Sequence, residues 1–160
     1  MVEVSTSILS VEKGKESQTF FNLEAAKTDY FHIDVMDGKF VEKNTYNKML
    51  EYASYIKRIS NLPLDVHLMV ENIKSSVDEF LSVEPNIITF HYEACKNKEE
   101  VYELIKYIKE NNCKVRFISK TKYWYWRNLW IFAIYTCMFS YDCWTRKRWT
   151  NFNCWYDWKN

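Results

Sequence analysis

Two periods of apolar residues run through the first 115 positions of the chain. In "DYFHIDVM", Phe31, Ile33 and Val35 recur at every second position, the spacing of a strand with one buried face. "LPLDVHLMV" and "NIITFHY" are short apolar runs of strand length, and "VEVSTSILS" and "CKVRF" read as further strands. Between them the period lengthens. Phe20, Leu23 and Ala26 in "ESQTFFNLEAAKT" fall near helical spacing. "NTYNKMLEYASYIKRIS" predicts a helix with Asn44 at its N-cap. Asn72 is placed to cap the next helix, where Ile73, Val77, Phe80 and Leu81 make one face. In "KEEVYELIKYIKENN" the face is Val101, Leu104, Ile105 and Ile108. Strands and helices thus alternate in units of roughly 25 to 30 residues, which predicts a parallel α/β sheet, either doubly wound or part of a barrel. From about residue 116 neither period can be followed. The expected organisation is therefore 1–115 as a patterned domain and 116–160 as an unpatterned tail. No glycine follows Gly38, so the later turns lack their usual residue.

Composition sharpens that boundary. All seven tryptophans lie at or beyond Trp124. Residues 1–115 carry 14 Lys and Arg against 19 Asp and Glu, and residues 116–160 carry 8 against 2. A basic aromatic tail is one way to bind single-stranded nucleic acid, through phosphate charge and base stacking. The N-terminus has no secretory pattern, and no apolar run is long enough for a membrane span. The five cysteines (Cys95, Cys113, Cys137, Cys143 and Cys154) show no C-x-x-C spacing, and their odd number argues against a disulfide framework. A cytoplasmic protein that avoids membranes is expected.

The candidate chemistry sits at strand ends. His32 and Asp34 are two apart and share a face, just before Gly38. His67 occupies the matching end of the next strand, and His91 with Glu93 extends the pattern to a fourth. The C-terminal ends of parallel strands are where α/β folds build active sites. Two histidines and a carboxylate from adjacent strands can converge on one metal ion. Taken singly, such a histidine is more often a hydrogen-bonded residue, and such an aspartate a turn cap.

Taken together, "SILS", "DYFHIDVMDGKFV", "LPLDVHLMVEN" and "IITFHYEA" resemble the ribulose-phosphate 3-epimerase family, in order and at the expected spacing, over about residues 4 to 115. The resemblance implies a TIM (β/α)8 barrel, here an incomplete one of about four and a half βα units. It implies an isomerase of the pentose phosphate pathway that interconverts D-ribulose 5-phosphate and D-xylulose 5-phosphate. One divalent metal ion (Zn, Fe, Mn or Co) would be held by His32, Asp34 and His67, with Asp34 also one of two acid/base carboxylates. Ser7 and His67 would contact substrate, and Met36 and Met69 would line the pocket. The resemblance implies a small phosphorylated pentulose as partner and allows a homo-oligomer for the intact family. Removing the proton beside a ketone suits these residue types: a carboxylate takes the proton, and positive charge at the oxygens stabilises the enediolate.

The chain departs from the family's pattern in its tail. The glycine-rich "MTVEPGxGGQ" segment that helps hold phosphate, and the "VDGG" segment with the second carboxylate, do not occur. A shift of reading frame accounts for this. "CWTRKRWT", residues 143–150, can be encoded, with TGA read as Trp, by bases that spell V-E-P-G-K-G-G-Q one base later. The same shift turns "WYWRNLW" into the acidic D-I-E-E-I-Y-E. The tail is then an out-of-frame reading that begins near Val115 to Lys120, and the chain is expected to be truncated, impaired or inactive, and poorly soluble. The alternatives are the nucleic-acid-binding tail, whose charge and aromatics the frame shift also explains, and another phosphate-binding barrel of similar topology.

Overall fold

Strict alternation in "YFHIDVM" becomes a strand whose odd-numbered residues are buried. The computed structural model describes residues 3–119. Its elements run β1 (Ser5–Ser7), α1 (Glu16–Ala25), β2 (Tyr30–Met36), α2 (Tyr46–Ile59), β3 (Leu64–Met69), α3 (Ile73–Leu81), β4 (Ile87–His91), a 3-10 turn (Tyr92–Ala94), α4 (Lys98–Glu110) and β5 (Lys114–Ile118). The tail's aromatic region, with the frame-shift and nucleic-acid readings attached to it, lies outside the described residues. β5 itself runs through Ile118, past the boundary expected at 115.

All neighbouring strands are parallel, in the order β1-β2-β3-β4-β5. A doubly wound sheet reverses its strand order at a switch point. This sheet never does, so the alternative left open by the pattern resolves to an α/β fold consistent with an incomplete TIM barrel. Register sorts the side chains into rows. On the helix-covered face, Ile33, Val66, Ile88 and Val115 form one row, and Val35, Leu68, Phe90 and Phe117 the next. All eight are buried, as are Phe20 of α1, Met49 and Ile56 of α2, Val77 and Phe80 of α3, and Ile105 and Ile108 of α4. Each such side chain contributes roughly 1.5–3 kcal/mol of burial. The opposite face carries Ser7, His32, Asp34, Asp65, His67, Thr89 and Arg116, the rows that a closed barrel would turn inward.

Three local expectations change. Asn44 is not the cap of α2. Thr45 takes that position, and its hydroxyl is diverted to β2, donating to Asp34 O at 2.8 Å and accepting from Met36 N at 3.0 Å. Asn72 occupies the α3 cap position without a side-chain cap bond; its carbonyl serves Ser76 instead. Ala26 is exposed and lies just past the end of α1 at Ala25. There the chain turns through Lys27 at φ 60°, with Thr28 N donating to Leu23 O and Lys27 N to Glu24 O. After α4 the same pair of bonds forms around Asn112 at φ 58°: Cys113 N to Ile108 O and Asn112 N to Lys109 O. These are glycine-type helix ends built without glycine. Lys27→Gly relieves the left-handed strain at the cost of a floppier unfolded chain, so a net gain of roughly 0.5 kcal/mol is expected in urea denaturation. A loss would contradict the assigned turn.

Candidate metal centre

The polar face converges on one carboxylate. Asp34 stands beside His67 in register, and His32 is two residues back on the same strand face. Asp34 Oδ1 lies 3.2 Å from His32 Nε2 and 3.5 Å from His67 Nδ1, while Oδ2 accepts from Ser7 Oγ at 2.6 Å. One donor atom from each of His32, Asp34 and His67 falls within 4.8 Å of the others. Two imidazoles and a carboxylate at that separation suit a divalent ion of the zinc, iron, manganese or cobalt type. The donor set therefore fits the ion expected from the sequence.

Electrostatics also favour charge exchange here. Burial alone would raise the Asp34 pKa, but hydrogen bonds from His32, His67 and Ser7 and the charge on His32 hold it far below the usual carboxylate range. Burial pulls His32 down, yet its bonds to Asp34 and Asp65 outweigh that and push it up to about 9. His32 thus carries positive charge between two carboxylates, which an arriving cation would replace.

Met36 and Met69 pair in register one row beyond Asp34 and His67, Met69 buried and Met36 partly so. The structure thus places Ser7, His32, Asp34 and His67 against one another, with Met36 and Met69 on the same sheet face one register row further on. His91 is also drawn in, with Nε2 at 3.1 Å from His67 Nε2. Asp65 was missed. It accepts from Ser5 Oγ at 3.0 Å, lies 3.1 Å from His32 Nδ1 and 3.6 Å from Arg116 Nη1. The signal was present: Asp65 is two residues before His67, the spacing that joined His32 to Asp34.

The model of the ribulose-phosphate 3 epimerase family matches residues 3–129. The chain is 39% identical over 108 residues to the ribulose-phosphate 3-epimerase of Methanocaldococcus jannaschii, covering 68% of this chain and 44% of that protein. It is 35% identical over 106 residues to the Bacillus subtilis ribulose-phosphate 3-epimerase, covering 66% and 48%. To the Escherichia coli ribulose-phosphate 3-epimerase it is 34% identical over 119 residues, covering 72% and 49%. The chain spans about half the length of these curated relatives. No helix among the described residues is long and apolar enough to cross a membrane.

Proposed function

Since the chain belongs to the ribulose-phosphate 3-epimerase family, we propose that it carries the first half of an epimerase site, acting on D-ribulose 5-phosphate and D-xylulose 5-phosphate in the cytoplasm. The observation that carries this reading is the meeting of His32, Asp34 and His67 at the C-terminal ends of adjacent strands. These three hold the divalent ion, which when bound supplies positive charge at the substrate oxygens. The two oxygens of Asp34 divide the work. Oδ1, between the histidines, would be the oxygen available to hold the ion; Oδ2, beside Ser7, would take and return the proton at the inverted carbon. The Ser7 hydroxyl fixes that oxygen and offers a contact to substrate. Met36 and Met69 provide a polarisable apolar wall that keeps water from the reacting carbons.

Residues 1–115, with the rest of β5 through Ile118, form the barrel part in this reading, and the out-of-frame tail begins within Val115 to Lys120. These 160 residues contain neither the second carboxylate segment nor the glycine-rich phosphate segment, so on their own they would bind the ion and support little or no turnover. The test compares the 160-residue chain with the product of a gene shifted by one base near codon 120, assaying formation of xylulose 5-phosphate. The shifted product should be faster by orders of magnitude. Near-normal turnover by the 160-residue chain, or a gene that does not encode V-E-P-G in the shifted frame, would sink the reading.

A further inference from the structure

The two histidines turn opposite ring nitrogens toward Asp34. His32 presents Nε2, at 3.2 Å, and keeps Nδ1 against Asp65 Oδ2. His67 presents Nδ1, at 3.5 Å, and keeps Nε2 against His91 Nε2. An imidazole ligates through an unprotonated nitrogen and holds its remaining proton on the other. Ligation beside Asp34 therefore requires two different tautomers, with the proton on Nδ1 of His32 and on Nε2 of His67.

We infer that Asp65 and His91 are positioning residues that select these two tautomers and so build an asymmetric pair of histidine ligands. The inference rests on the ion-binding reading of the site. Asp65 suits the task because an ionised carboxylate only accepts. It is 3% exposed, and Ser5 Oγ and the Arg116 guanidinium both approach the same Oδ2. Only a protonated His32 Nδ1 is compatible with that oxygen. His91 suits its task differently. It is 1% exposed, stacks on His67 with ring centroids 5.2 Å apart, and packs against Phe40 at 5.1 Å. Two ring nitrogens 3.1 Å apart bond only when one bears a proton and the other does not. Glu93 Oε2 lies 4.0 Å from His91 Nδ1, and Glu93 Oε1 accepts from Ser119 Oγ at 2.7 Å. At 4.0 Å that carboxylate makes no hydrogen bond to Nδ1, but its charge favours a proton on that side of the ring, which would leave His91 Nε2 as the acceptor for His67.

Zinc titration calorimetry on the full chain, beside nitrogen-15 spectra of the imidazoles, tests this. Asp65→Leu and His91→Leu keep bulk but remove the acceptor, and each should weaken zinc binding about 10- to 100-fold. Asp65→Asn and His91→Gln restore an acceptor oxygen and should recover much of that loss, which a packing role would not produce. In the zinc-loaded wild type the protons should sit on His32 Nδ1 and His67 Nε2. Unchanged affinity in both Leu variants, or the reverse tautomers, would overturn the inference. Should the Leu variants fail to fold, the wild-type spectra decide alone. A wild type that binds no zinc defeats the ion-binding reading instead. The inference falls with that reading, whereas wild-type zinc binding that the Leu variants leave unchanged defeats the inference alone.

Discussion

With Asp34 replaced by Asn, divalent-ion binding is expected to fall by about 100-fold or more, at or beyond the upper end of what outer-sphere partners cost. The substitution keeps shape and removes charge. An amide must place its NH2 group either against both histidines or against Ser7, whereas the carboxylate serves all three. An ion would also lose the one anionic ligand among the three that meet. Cobalt or zinc titration of the full chain reads the loss, with circular dichroism to show that the fold survives. Wild-type affinity in the Asn variant would rule out Asp34 as a ligand. A second signature concerns the ion-free protein. The Asp34 pKa is lowered on folding, so its stabilising contribution is complete above the ordinary value of 3.8 and fades as the pH falls below it. The Asn variant lacks that contribution and should lose less stability than wild type on acidification.

Phe20→Ala should be the most damaging single change to the fold, costing about 3–5 kcal/mol. Phe20 is the only buried residue of α1. Its ring meets Phe31 of β2 edge-on at 5.8 Å and Tyr52 of α2 at 5.7 Å, with Tyr55 at 6.1 Å. The hydrogen bonds of α1 to α2 are an exposed one, Ser17 to Tyr55, and a part-buried one, Glu16 to Tyr52, and Leu23 adds a partly buried contact with the core. A cavity there would undock the helix as well as weaken the core. The cost is a large part of a typical domain's whole stability. Urea unfolding measures it, and hydrogen exchange should show residues 16–25 opening first. A cost below about 1 kcal/mol would mean that α1 is held by something other than Phe20.

Much of this was legible in the chain because the sheet obeys a period of two. Phe31, Ile33 and Val35 announce the buried face of β2, and His32 and Asp34 must then share the other face. The helical faces of α3 and α4 were equally open to reading, save that Leu81 is only partly buried. What local pattern could not supply was pairing. Strand order separates a barrel arc from a doubly wound sheet, and that order depends on contacts between distant segments. The cap of α2 escaped for the same reason. Asn44 forms a bridge back to Asp37, and Thr45 is claimed by β2. Asp65 is a different case, since its spacing to His67 was in plain sight within an apolar run. Without the partner His32 from the next strand, a carboxylate in such a run carries no evident purpose.

The pairing of Asp34 with His67 has a consequence for how folding could be followed. A slip of β3 by one residue would swing Val66 and Leu68 out of the core and carry His67 to the helix side. Core and ligand set would be lost in the same event. Ion capture is therefore a reporter of strand alignment. On the proposed ligand set, a chain that binds cobalt with its characteristic visible absorption would have β2 and β3 in step.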